Sequence, residues 1–278
     1  MLEKLEEFDI CCYREYELAY ELSNNRLSNS FFLHRICWNV FFKYKYEVIG
    51  DCFCLVTDDN ELNAAHLVYP LGKITDKELK NIIKRWKNIF DENKKIFRID
   101  YIDEDGYLRL KECLEEEGYS WKVKSCRDYY DYTYSKNDYI DLLGRKNKSK
   151  RHLWNEYKKN IECYSLHKIN VLNISDCKKI IRKWEEKNDI QGEKLIDTDH
   201  YPMEFLWDHF DELDCQGYIL YFDMKPIAFF VASIRGDYCC FHFAKSDRDY
   251  PSTRSMTVWR SYGSSLVVMT PLGLFNKT

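Results

Sequence analysis

Between Arg145 and Lys159 the chain sets seven Lys and Arg residues against one acid, Glu156. Arg145, Lys146, Lys148, Lys150 and Arg151 crowd the first half of this stretch, and His152, Trp154 and Tyr157 interleave with the charges. Phosphate contacts come mainly from Arg and Lys, and unstacked bases lie on aromatic faces, so these types at this spacing suit an RNA end or a phosphate headgroup. A solvated helix face is the competing reading, because most charge runs are that. A second group, His242, Lys245 and Asp247, ends an apolar run. Lys245 and Asp247 at such a place could orient a substrate, and His242 could accept a proton. The alternatives are a surface ion pair and a packed strand histidine. The twelve Cys include no CxxC, and Cys52-x-Cys54, Cys11-Cys12 and Cys239-Cys240 lack a partner cluster at zinc spacing. No metal site is expected from them.

The elements that must position these residues follow from periodicity. In the first half, Tyr13–Asn24 and Phe31–Val40 read as helices, and Lys43–Ile49, Cys52–Thr57 and Leu62–Tyr69 as strands, with Asp58-Asp59-Asn60 as a hairpin turn. Thr75-x-x-Glu78 is a capping box. Behind it Leu79, Ile82, Ile83, Trp86, Ile89 and Phe90 keep the spacing of one apolar helix face. Ile96–Ile102 reads as a strand, Asp105–Glu117 as a helix stopped by Gly118, and Asp128–Tyr134 as an alternating strand. In the second half, Asn137–Leu143 reads as a short helix and Ser149–Lys159 as the basic helix, followed by a strand at Glu162–His167. Helices are expected at Ser175–Lys187 and Pro202–Leu213. Tyr218–Phe222 and Ile227–Ser233 form a hairpin around Asp223-Met224-Lys225, and Tyr238–Ala244 a third strand. The halves echo each other, with helices, then antiparallel strands, then Tyr-Pro at Tyr69-Pro70 and Tyr250-Pro251.

Composition narrows the classes. The 278 residues, with 22 Tyr, 16 Phe and 7 Trp, suffice for one large or two ordinary domains and exclude a disordered chain. A net charge of −4 exerts no global pull on nucleic acid or acidic membrane, so a polyanion site must be local. Met1 to Asp9 lack a secretory pattern, and the longest apolar run, Pro226 to Ile234, falls short of the ~20 residues a membrane helix needs. The scattered cysteines then read as reduced, mostly buried thiols.

Several ordered segments resemble one family. Arg127-Asp128-Tyr129-Tyr130-Asp131-Tyr132-Thr133-Tyr134 looks like the strand that ends its first half. Leu142-Leu143-Gly144-Arg145-Lys146, with Lys148-Ser149-Lys150-Arg151, looks like its Gly-basic-basic and Lys-Arg signature. Trp184 matches a family Trp, although its place in the apolar stripe of its helix makes core packing the default. Lys225-Pro226-Ile227-Ala228-Phe229 resembles the family hairpin, and His242-Phe243-Ala244-Lys245-Ser246-Asp247 its His-x-Glu-Lys-Ala-Asp strand end. The family is the C-terminal catalytic domain of phosphatidylglycerol lysyltransferase.

The resemblance implies an α/β fold of the α+β type: two tandem GNAT-like acyltransferase domains, 1–136 and 137–278, with mixed, mostly antiparallel sheets flanked by helices. It implies transfer of an amino acid from aminoacyl-tRNA, the donor substrate, to a hydroxyl or amine acceptor. That acceptor is phosphatidylglycerol in membrane-bound relatives, and it makes an anionic lipid headgroup a second expected partner. A stand-alone cytoplasmic member without a transmembrane segment is expected. Asp131 and Tyr132 organise the junction of the halves or are ordinary strand residues. An aminoacyl ester is already activated, so transfer needs a positioned nucleophile, a proton acceptor, and positive charge for the oxyanion and nearby phosphates.

Two positions depart from the pattern. His152 stands for an Asn, and Ala244 for the Glu before Lys245, so a proton acceptor of the family type is missing. Moreover, none of the 46 Asp and Glu falls in Pro251 to Thr278, which holds nine Ser and Thr. A shifted frame or truncation after Tyr250 is expected from this, leaving the strand at Tyr238–Ala244 a poorly covered edge. A divergent but native ending is the alternative. Two other functions stay open. One is an acetyl-CoA-dependent N-acetyltransferase, for which Val68-Tyr69-Pro70-Leu71-Gly72 is a weak match to the Gly-rich turn that cradles a pyrophosphate. The other is a non-catalytic protein that binds tRNA or a lipid headgroup.

Overall fold

The capping box is where sequence and structure meet most directly. In the computed structural model Thr75 accepts from the Glu78 backbone N–H, the Glu78 carboxylate accepts from the Thr75 N–H, and a helix runs from Asp76 to Glu92. The structure describes residues 5–58, 65–125, 127, 130–135, 141–159, 161–247, 249–250 and 266–269. The chain divides into two compact units, Met1–Cys126 and Arg127–Thr278.

The first unit holds a five-stranded sheet in sequence order: β1 (Glu6–Glu7), β2 (Lys45–Ile49), β3 (Cys52–Thr57), β4 (His66–Val68) and β5 (Ile99–Asp100). All neighbours are antiparallel except β4 and β5, which run parallel across the helix α3 (Asp76–Glu92). Strand alternation sends Cys52, Cys54 and Val56 of β3 to one face, where Ile82, Trp86 and Phe90 of α3 pack on them. The other face carries Phe53, against Tyr16 of α1 (Tyr13–Leu22) and beside Phe8, itself packed on Phe32 of α2 (Phe32–Phe42). Leu110 and Cys113 of α4 (Glu104–Glu116) close the flank of α3.

The second unit holds a six-stranded sheet in the order β6 (Tyr132–Ser135), β11 (Leu266–Met269), β10 (Tyr238–Ser246), β9 (Lys225–Arg235), β8 (Gln216–Phe222) and β7 (Tyr164–Lys168). Only β10 and β11 pair parallel. Among the described residues its α-helices are α5 (Lys148–Lys159), α6 (Ile174–Lys187) and α7 (His200–Asp208). Both units are therefore mixed, mostly antiparallel sheets flanked by helices. Among the described residues no helix is long and apolar enough to cross a membrane.

The two compact units meet at 126/127, and Tyr132–Ser135 pairs with Leu266–Met269 in the second sheet. The structure corrects two expectations. The helix expected at Asn137–Leu143 lies partly outside the described residues, and 141–143 is not helical. Leu142 there has φ +49, which a continuing right-handed helix excludes. Finally, β10 is not an edge, since β11 pairs along Tyr238–Phe241. The rest of the segment after Tyr250 lies outside the described residues.

The β8–β9 hairpin turns on two residues, Asp223 at φ +46 and Met224 at φ +66, because Phe222 pairs with Lys225. Positive φ at both positions is the turn that matches strand twist, and it favours Gly at the second. Met224 is 88% exposed, so its side chain packs on nothing that would compensate for the left-handed backbone. Met224→Gly should raise stability by about 1 kcal/mol. Urea unfolding of parent and variant measures it, and an unchanged or lower midpoint would contradict the account.

Candidate functional site

Residues opposite each other across an antiparallel pair share a face of the sheet, so register sorts the candidates. Cys240 pairs with Ser233, Phe243 with Val231 and Lys245 with Phe229. His242 is the extra residue of a β-bulge between Phe241 and Phe243. Its Nε2 lies 2.6 Å from Ser233 Oγ and its Nδ1 3.8 Å from Cys240 Sγ, which puts it on the same face. Burial, reinforced by the charge of Arg235, pushes His242 down to about 3. It is neutral at ordinary pH and a poor proton acceptor, and its surroundings are those of a packed strand histidine.

Lys245 is 8% exposed and Asp199 5%. The Lys245 ammonium donates to both carboxylate oxygens of Asp199, at 2.7 and 2.9 Å, and lies 3.9 Å from the ring centroid of Trp184. Trp184 belongs to α6, which packs on β9 and β10 through Cys177, Ile180 and Ile181. Asp199 stands at the N-cap of α7 but makes no side-chain capping bond, because its carboxylate is turned to Lys245. The next residues along both chain segments also meet: His200 Nδ1 lies 2.7 Å from Glu185 Oε1.

Asp247 is buried and accepts from the ammonium groups of Lys183 and Lys187, the latter at 2.7 Å, and from the Asp249 backbone N–H at 3.0 Å. Burial alone would raise its carboxyl, but the two lysines outweigh burial and hold it at about 2. Asp247 is thus a tie between the end of β10 and one side of α6, whose Lys183 and Lys187 are spaced to share a face.

The basic segment lies on the other face. Tyr157 of α5 sits 4.5 Å from Tyr164, which sits 4.9 Å from Phe222, which sits 5.4 Å from Tyr250. Phe222 shares its face with Leu220, whereas Tyr221 points oppositely and donates to Asp176 of α6 at 2.7 Å. At its other end α5 brings Lys150 to 5.1 Å from the ring of Tyr134 on β6. The helix therefore reaches from one edge strand to the other on the face opposite Lys245. Arg145, Lys146 and Lys148 are exposed, and α5 has no buried residue. Arg151 differs from them: its guanidinium holds the carbonyls of Leu142 and Gly144, pinning the turn before α5. Tyr132 is exposed on β6 opposite Met269, and Asp131 precedes it, partly buried.

The structure thus gathers His242, Lys245 and Asp247 on one face and the basic candidates on the other. Asp199, Glu185, His200, Lys183 and Lys187 join the first group unannounced. The pair Lys183 and Lys187, four apart on a strongly periodic helix, was the one available signal.

The family model described as phosphatidylglycerol lysyltransferase, C-terminal, matches residues 20–273. No curated protein matches the sequence. Among solved structures, a conserved protein of unknown function from Bacteroides thetaiotaomicron VPI-5482 is similar at TM-score 0.85 and 18% identity, over 95% of this chain and 89% of that one. L-PGS from Bacillus licheniformis is similar at TM-score 0.64 and 11% identity, over 98% and 82%. FemX is similar at TM-score 0.63 and 10% identity, over 99% and 90%. At these identities the likeness is one of fold.

Asp247 has its folded value at about 2 against 3.8 for an ordinary Asp. The stability it contributes is complete above about pH 4 and is lost as pH falls through about 2. Asp247→Asn should cost about 2 kcal/mol near neutral pH, and the gap between variant and parent should close in acid. Urea unfolding across a pH series reads both, and parallel stability curves would show that the two lysines do not act on Asp247.

Proposed function

This chain belongs to the phosphatidylglycerol lysyltransferase C-terminal family, and on that premise we propose that it is an aminoacyltransferase moving an amino acid from aminoacyl-tRNA to a hydroxyl or amine acceptor. The observation that carries the reading is Lys245, an ammonium withdrawn from water at the end of β10 and fixed by Asp199 and Trp184. Ester aminolysis or transesterification builds negative charge on the carbonyl oxygen, and a preorganised cation acts there without reorganising. Lys245 donates to both carboxylate oxygens of Asp199 and faces the ring of Trp184, and a substrate carbonyl oxygen would approach the ammonium beside that pair. The proton released by the attacking acceptor goes to His200, which Glu185 orients through Nδ1 and which is partly exposed, and His200 returns it to the tRNA ribose oxygen as the acyl C–O bond to the tRNA breaks. That pair supplies what Ala244 takes away. The donor's phosphates lie on α5, and its single-stranded end rounds the end of β10, where Tyr250 belongs to the α5 side and Asp247 to the α6 side. A phosphatidylglycerol headgroup is the acceptor the family suggests.

The acetyl-CoA reading loses its support in the first unit. Leu71 exchanges both backbone hydrogen bonds with Phe53, at 2.9 and 3.1 Å, so the turn before α3 is closed. Gly72, at φ +129, is required because a Cβ there would meet the Asp51 carbonyl oxygen at 2.2 Å. The glycine thus answers to a close approach of backbone rather than to a pyrophosphate.

Lys245→Met should slow transfer of a labelled amino acid from aminoacyl-tRNA to phosphatidylglycerol vesicles or small hydroxyl and amine acceptors by about 100-fold. The tRNA gel shift of the variant should match the parent. A parent that binds immobilised CoA and shifts no tRNA would overturn the reading in favour of acetyl transfer. A parent that shifts tRNA but transfers nothing to any acceptor would leave a binding protein.

A further inference from the structure

Three arginines of the first unit turn the same edge of the guanidinium to a carboxylate. Arg85 donates from Nε and Nη2 to Glu47 at 3.0 and 2.6 Å, and Arg109 from Nε and Nη2 to Asp76 at 3.3 and 2.8 Å. Arg98 gives both groups to Asp100, Nε at 2.8 Å. All three are at least partly exposed. Arg35 of α2 is 1% exposed, and there the edge is unengaged: neither Nε nor Nη2 has a hydrogen-bond partner among the described residues. Its Nη1 donates to Tyr44 Oη at 3.1 Å, and the ring of Tyr101 lies against the guanidinium, its centroid 4.1 Å from Cζ. The Tyr44 ring stands at 5.7 Å, and Tyr16, whose hydroxyl donates to the Ser30 carbonyl at 2.9 Å, faces the same cation. Asp100, next to Tyr101 in the chain, is committed to Arg98 and lies 3.6 Å from His66. A buried lysine could shed its proton, but a guanidinium keeps its charge. Among the described residues a full charge thus sits between phenols with no carboxylate bonded to it, the costly case of a buried cation left unpaired.

We propose that the Nε and Nη2 edge of Arg35 binds a small carboxylate, which enters past Tyr101. Two parallel N–H groups match the two oxygens of a planar carboxylate. The Tyr101 ring on the guanidinium face favours a ligand that lies in the guanidinium plane, whereas a tetrahedral phosphate sets oxygens above and below it. Charge makes the same choice. One carboxylate neutralises one guanidinium, and a phosphate dianion would leave a negative charge buried. Because Arg35 is closed to water, a macromolecular anion does not reach it, and a small one needs a group that moves aside. Tyr101 is that group. It is partly exposed, it follows the two-residue strand β5, and it holds φ +61, a left-handed backbone that a bulky residue adopts only at a cost. The strain is stored where the ring covers the cation, so relaxing it uncovers the cation. The residues of the transfer reading all belong to the second unit, and this site stands or falls apart from that reading.

The test is thermal unfolding of the full chain with sodium acetate titrated in, against sodium chloride and sodium phosphate at equal ionic strength and pH. Calorimetric titration of acetate into the same proteins gives Kd and stoichiometry. The parent should gain about 5 °C at a hundredfold excess of acetate over its Kd, beyond any effect of chloride. Arg35→Met removes the unpaired charge, so it should melt no lower than the acetate-free parent and show no acetate gain. Arg35→Lys keeps a charge without the two parallel N–H groups and should lose most of the gain. Tyr101→Gly adopts φ +61 without strain and lifts the cover, so it should keep the acetate gain and add one from benzoate, which the parent lacks. An acetate gain in the parent no greater than that from chloride, or one retained in Arg35→Met or Arg35→Lys, would overturn the site. Phosphate matching acetate would overturn the planar monoanion, and a Tyr101→Gly chain that refuses benzoate would overturn entry past Tyr101. If Arg35→Met does not fold, Arg35→Lys and the anion series on the parent decide.

Discussion

A charge taken out of water must be met by another, and the end of β10 is organised around that requirement. Lys245 and Asp247, two residues apart on one face of a strand, are both buried. Each would cost several kcal/mol if left alone there. Lys245 is met from α7 by Asp199, and Asp247 from α6 by Lys183 and Lys187. The two helices are thereby held at one place on the sheet, and Trp184 comes over the Lys245 ammonium because its neighbours on α6 are tied to Asp247. His200 and Glu185 meet for the same reason: each adjoins a residue that Lys245 holds. The arrangement of the candidate site follows from where charge was buried.

Which face receives that charge depends on one surplus residue. Strand alternation would place residues 241 and 245 on the same side, and Phe241 belongs with Phe230 and Ala232, on the face opposite Lys245. The bulge at His242 reverses the alternation, so that Lys245 lies opposite Phe229 and beneath α6. Without it every residue from 243 onward would turn toward α5. His242 therefore shapes the site through its place in the backbone, and its own ring is engaged with Ser233.

Much of this was legible in the sequence. The stripe of α3 and its capping box, the helix from Ile174 to Lys187, and the hairpin at Asp223-Met224 all rest on local chemistry, and local chemistry is written in adjacent residues. Lys245 and Asp247 could be read as a strand end for the same reason. Asp199 could not. The helix was expected from Pro202 but starts at His200, and the partner of Asp199 lies 46 residues away. Nor could the face of Lys245, since a bulge leaves no mark in an apolar run. Arg151 looked like its basic neighbours because a charge count does not say which guanidinium serves a backbone turn. The acid-free stretch after Tyr250 argued against a native strand, yet Leu-Val-Val-Met at 266–269 is itself an apolar run with two β-branched residues and pairs on both sides.

That last strand has a temporal consequence. In the described pairings β6 reaches the sheet only through β11, and about 130 residues separate Ser135 from Leu266. On the ribosome, at roughly 5–20 residues per second, the segment around Tyr132 waits on the order of ten seconds for its partner. Once β10 itself has been made, Tyr238, Cys239, Cys240 and Phe241 form an open parallel-pairing edge until β11 follows. Closure over so long a loop is slow by nature. The second sheet thus stays open beside β10 until a strand made after the other described strands arrives.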